Sequence, residues 1–214
     1  MPSQGEGRES RKDRVVGDGS GVWGSSSQDF VRLAGLLFEH SAKYAASVDG
    51  NTSPYPIAGV PVLFSALRCL LIELGAGLPL GKRRPEVLAD LAGSMNEVAI
   101  VKKQYPLPEG LSGRLDLLLE VRHEIIHPAH RPGPEPDGTP AYLRELKELG
   151  VLQTTGRETD YLWLDQLHSH RLFRWTFETV ALTAGVIVTA HRVPEWMAQA
   201  LRSSYYRYTD IDAV

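Results

Sequence analysis

Residues 111–128 read LSGRLDLLLEVRHEIIHP, a strongly apolar run that closes on two histidines and a proline. At about 100° per residue, Leu115, Leu117, Leu118, Leu119, Val121, Ile125 and Ile126 fall on one broad arc. That spacing predicts a helix from about Leu111 to Ile126. Pro128 disfavours helical geometry at the residue before it, so His127 is expected at the helix end. Asp116, Glu120, His123 and Glu124 take the polar side. Arg122 falls inside the apolar arc, where a guanidinium loses hydration and needs an anion or a carboxylate. A chain organised around such a helix is expected to be all-α.

The flanking segments carry the same period. Phe30, Leu33, Ala34, Leu37, Phe38 and Ser41 predict a first helix from Asp29 to about Ser47, with Asp29 as its capping or dipole-favoured residue. After the turn-forming residues 49–54, an almost continuous apolar run from Ile57 to Leu74 predicts a central helix closed by Gly75 and Gly77. Val87, Leu88, Leu91, Met95 and Val98 predict a third from about Pro85 to Val101, with proline at a tolerated first-turn position. Tyr105-Pro106-Leu107-Pro108 then breaks the chain. Beyond a Pro/Gly-rich loop at 128–140, Ala141–Leu149 reads as a short amphipathic helix stopped by Gly150. Residues 151–154 and 161–164, flanking Gly156–Asp160, suit a small β-hairpin. A long helix from Asp165 to about Arg192, and a short one after Pro194, complete an essentially all-α chain.

Composition limits the class. With 214 residues, 43% hydrophobic and 23% charged, the chain has material for one sizeable core. A net charge of -3 and a pI near 6.2 leave no global cationic field, so any nucleic-acid contact must be local. The lone Cys69, among Ala66, Leu67, Leu70 and Leu71, is expected to be a buried, inert thiol in a reducing compartment. Residues 1–27 are rich in Gly, Ser and charge and lack a signal-peptide apolar core, so they read as a mobile arm. Residues 28–203 then form the helical domain, and 204–214 a tail. Val180–Ala190 is too short to span a bilayer, and the expectation is a cytoplasmic protein with no membrane partner.

The chemistry suggested by the central helix is phosphodiester cleavage in RNA. An imidazole at His127 can take a proton from a 2′-hydroxyl or give one to the 5′-oxygen, while Arg122 offsets charge growing on the non-bridging oxygens. No cofactor is required. At these residues the chain resembles the HEPN family (higher eukaryotes and prokaryotes nucleotide-binding), whose motif is Arg, a polar residue, three further residues, then His near a helix end. Here that reads Arg122, His123, Glu124-Ile125-Ile126, His127. Asn is the commoner residue after the arginine, and His123 is the less frequent variant. The resemblance implies a HEPN-like bundle that dimerises so that two motifs face each other and form one composite, metal-independent endoribonuclease site. Members of the family include toxins and antiviral effectors, and others that have lost catalysis and only bind; for this chain the expected partners are RNA, a second copy of itself and an antitoxin or regulatory protein. His123 and Glu124 would support the catalytic pair electrostatically.

His123-Glu124-Ile125-Ile126-His127 also fits a zinc-hydrolase box, with the two imidazoles as ligands and Glu124 activating water. Glu145 or Glu148 would have to complete the metal site, because His130 and Gly133 do not continue the longer zinc-protease pattern. The ordinary structural reading makes Arg122 half of an internal salt bridge and His127 a dipole-favoured C-terminal residue. His130 and Arg131, in the following loop, are candidate phosphate contacts. Lys82-Arg83-Arg84 and Lys102-Lys103 read as solvated. His168 and His170, two apart, do not share a helix face and make no metal pair. Trp163, Phe173, Trp175 and Phe177 read as core. Tyr205-Tyr206-Arg207-Tyr208 suits either base stacking or a tail packed on the body.

Overall fold

A computed structural model describes residues 25–75, 96–128, 139–152 and 163–210. Among these the chain is all-α: α1 Ser26–Val48, α2 Pro56–Gly75, α3 Glu97–Gln104, α4 Leu111–Ile126, α5 Ala141–Glu148, α6 Trp163–Gln166, α7 His170–His191 and α8 Glu195–Tyr206. The only β pairing among the described residues is an isolated bridge between Thr52 and Ser169. Most of the proposed hairpin, 153–162, lies outside the described residues, and so does 85–95 of the proposed third helix. Where the second hairpin arm was expected, Trp163 and Leu164 instead open α6.

Three helix starts differ from the sequence expectation, each for the same physical reason. Ser25, not Asp29, caps α1, its side chain accepting from the Gln28 N–H. Asn96 sits extended and accepts from the Ala99 N–H, so α3 begins there and runs on to Gln104. Ser169 accepts from the Leu172 N–H and interrupts what the apolar period suggests is one helix from Asp165. A short polar side chain satisfies the otherwise orphaned first-turn amides at each break. Asp29 lies in the first turn of α1 as an exposed residue paired with Arg32.

Helices α1 and α2 pack most extensively, antiparallel, and each end of the pair is tied by buried polar groups. At one end the Glu73 carboxylate accepts from Ser25 Oγ at 2.6 Å, the Ser27 N–H at 3.1 Å and Ser27 Oγ at 3.0 Å. Ser25 and Ser27 are thus part of the body rather than of an arm. At the other end Ser41 Oγ donates to Ser53 Oγ at 2.7 Å and lies 2.9 Å from His170 Nδ1. The His170 ring rests on Phe38 with centroids 4.7 Å apart.

Helix α7 crosses this pair, burying Phe173, Trp175, Phe177, Val180 and Ile187. Two glycines admit its approach and that of the C-terminal turn. A Cβ at Gly59 would lie 2.0 Å from the Phe173 ring, and one at Gly35 would lie 2.2 Å from the Tyr208 ring. Tyr205 is 2% exposed and donates to the Ala66 carbonyl, so the Tyr-Tyr-Arg-Tyr segment packs on the body. Cys69 is half-buried rather than buried, and burial pushes its thiol pKa up.

Contrary to the reading of Val180–Ala190 alone, Pro56–Leu74 and His170–His191 are long and apolar enough to cross a bilayer by length and composition. Their apolar windows are 56% and 67% buried against the rest of the chain, as expected of core helices.

Two outcomes follow from the polar ties. Glu73→Ala strands two serine hydroxyls and an amide, and should cost about 3 kcal/mol in chemical denaturation. Burial first, and the Arg174 cation second, hold the His170 imidazole below its ordinary range. The unfolded chain therefore binds a proton that the folded one resists, so stability should fall as pH drops below about 6.5. Urea midpoints for wild type and His170→Gln check this, and the variant should show the weaker fall.

Candidate functional site

Helix α4 places the motif. It starts after Gly110, whose φ of 78° suits a residue without a side chain, and buries Leu111, Leu115, Leu118 and Val121. Leu117, Leu119 and Ile125 are half-buried, and Ile126 is exposed at 40%. The buried stripe is narrower than the apolar arc, and Arg122 stands at its edge rather than within it.

Two half-buried arginines on α4 are treated differently by their surroundings. The Arg114 Nε donates to Thr179 Oγ1 at 2.9 Å and its Nη2 to the Trp175 carbonyl at 3.2 Å. The same Nη2 lies 3.3 Å from Glu178 Oε2. The Arg114 guanidinium is thereby tied to α7. Arg122 instead sets its Cζ 5.4 Å from the centroid of the Phe64 ring on α2, and no carboxylate among the described residues pairs with it. An aromatic face holds the cation in place without occupying its hydrogen-bond donors. The internal salt bridge offered as the ordinary reading of Arg122 is not formed among these residues.

His127 is the C-cap of α4, as Pro128 requires, with φ −129°, ψ 65° and its N–H on the His123 carbonyl. Its side chain is exposed, as is that of His123. The two rings lie 6.2 Å apart between centroids, inclined by 41°. The His127 ring thus neighbours that of His123, one helical turn earlier. Helix geometry explains this, since residues four apart share a face and residues five apart diverge by about 140°. Within one chain the guanidinium and the His127 imidazole make no mutual hydrogen bond.

Glu124 is half-buried and faces Tyr142 of α5. The Tyr142 hydroxyl is fully buried and meets no partner at ordinary hydrogen-bond geometry. Burial, then the Glu124 and Glu120 carboxylates, push its phenol far above the usual range, so it stays a neutral O–H beside an acidic helix face. Sequence reasoning missed both neighbours of the motif. Tyr142 is the aromatic of a short amphipathic helix, while nothing along α2 distinguishes Phe64 from its other apolar residues.

His130, Arg131 and Lys82-Arg83-Arg84 lie outside the described residues. Lys102 pairs with Asp116 at 2.7 Å. Among the described residues no group of three His, Cys, Asp or Glu is arranged to hold a metal, so neither Glu145 nor Glu148 joins His123 and His127 in one cluster. No protein-family model, curated protein or solved structure matches the chain.

The surroundings of Arg122 make a stability test informative. Arg122→Gln removes a cation–π contact and orphans no described carboxylate, so it should cost only about 1 kcal/mol in thermal or urea denaturation. A loss of about 3 kcal/mol or more would mark a structural ion pair instead.

Proposed function

We propose that this chain is a HEPN-type endoribonuclease that cuts RNA without a metal, with Arg122 stabilising the phosphorane-like transition state and His127 as general acid/base. The observation that carries the reading is the contrast along α4. Arg114 is committed to α7, whereas Arg122 is held by an aromatic ring with its donors uncommitted to any described carboxylate, five residues before an exposed histidine at the helix end. A guanidinium so placed can take a phosphate, and an exposed imidazole can reach a ribose hydroxyl.

In this reading the 2′-hydroxyl oxygen attacks the adjacent phosphorus and the bond to the 5′-oxygen breaks, leaving a 2′,3′-cyclic phosphate and a 5′-hydroxyl. His127 takes the proton from the nucleophile, or gives one to the leaving oxygen. Arg122 and His127 have different ring neighbours and share no hydrogen bond within one chain, which fits a composite site in which a second copy of the helix end brings its own pair. His123, Ile126 and His127 are exposed together at that end. His123 and Glu124 then support the pair, with Tyr142 packed against Glu124. A role in a toxin or antiviral system, restrained by an antitoxin or regulator, is the biological setting this activity suits.

A second reading rests on one observation. The His123 and His127 rings stand side by side in the spacing that a zinc-hydrolase box uses. It needs a third donor beyond the described cluster.

The deciding experiment is cleavage of a mixed RNA pool in EDTA, with end-group analysis. Wild type should yield 2′,3′-cyclic phosphate ends, and Arg122→Ala and His127→Ala should each lose about a hundredfold or more of that activity. Cleavage that survives both substitutions overturns the assignment. Loss of activity on chelation, restored by zinc, moves the function to the zinc reading. A dimer that binds RNA and never cuts it is the non-catalytic, binding form of the fold.

A further inference from the structure

Away from the motif, α1, the start of α7 and the turn after α8 enclose an open cleft of about 370 Å³. Ala42, Tyr208 and the largely buried Phe38, 9% exposed, line it. Two arginines belong to the same lining. Arg174 is ion-paired with Asp210, while Arg207 sits 5.6 Å over the Tyr208 ring and makes no ion pair among the described residues. Glu39 also lines the cleft.

The occupancy of Arg174 indicates the chemistry. Asp210 is an exposed side chain from the last described turn, with 76% of its surface in water. A carboxylate on such a residue is a weak, replaceable partner, because an exposed ion pair contributes little. The cleft therefore already shows a carboxylate seated on its arginine, with a second arginine and the half-buried Tyr208 in the same lining. A flat ring packed against Tyr208 would set its own carboxylate by Arg174 and Arg207, whose planar forks match that group. Glu39 works against a second negative charge, so a monoanion suits the cleft better than a phosphate dianion or a polyanionic backbone.

We propose that this cleft is a binding site for a small aromatic monocarboxylate, with Asp210 as the internal carboxylate that such a ligand displaces. The site is independent of the RNA reading, and its occupant would hold the C-terminal turn differently from the free protein.

The test is a titration of the full chain with sodium benzoate, followed by amide NMR. Saturable shifts should appear at Ala42, Arg174 and Tyr208, and Arg174→Gln should abolish them. Asp210→Asn removes the internal competitor and should tighten benzoate about two- to fivefold, the range an exposed pair can account for. Ala42→Leu fills the cleft while keeping both arginines and should also block binding, which covers the case in which Arg174→Gln does not fold. No saturable shift at the cleft, or Asp210→Asn that leaves benzoate binding unchanged or weaker, overturns the proposal. Inorganic phosphate that binds more tightly than benzoate overturns the carboxylate assignment.

Discussion

The buried carboxylate of Glu73 is the constraint on which the rest of the fold depends. A charged group at that depth is tolerated only because Ser25 and Ser27 bring an amide and two hydroxyls to it, and Ser25 also caps α1. One set of hydrogen bonds therefore fixes where α1 starts and its register against α2. With that register set, Ser41 meets Ser53 and His170 at the opposite end, and α7 is drawn across the pair. Helix α4 reaches the same frame by way of Arg114 on α7 and Arg122 on Phe64, so the motif's position is inherited from the α1–α2 pairing.

How much of this was legible in the sequence depends on the kind of signal. Helix ends made by backbone breakers were read well: Gly50, the prolines at 106 and 108, Pro128 and Gly150 all stop helices as expected. Helix starts made by side-chain caps were read poorly. Ser25 lies in a run of serines that looks like a low-complexity arm, and Asn96 and Ser169 lie within apolar periodicities that carry on past them. Hydrophobic period says which faces are buried but is blind to a single polar residue that resets the backbone.

The candidate site divides along the same line. The position of His127 at a helix end followed from Pro128 alone, because the constraint is local. The neighbours of Arg122 and Glu124 did not follow, because they are tertiary. Phe64 under Arg122 and Tyr142 beside Glu124 come from other helices. The His123–His127 ring pair did follow, because a four-residue spacing on a helix puts both side chains on one face.

The contact between the two ends of the described chain has a consequence for synthesis. The Gln28 side chain donates to Ser204, 176 positions later, and the Gly35 surface is covered by Tyr208. At roughly 5–20 residues per second, a ribosome needs on the order of ten to thirty-five seconds to make the intervening chain. Until α7 is made, late in that interval, α1 packs chiefly against α2. The Glu73 and Ser53 ties both fall within the first 73 residues, so the α1–α2 hairpin can hold itself together as a nascent unit. What it then presents to the emerging chain is a half-finished core, with the seat for Tyr208 open until the last helix arrives.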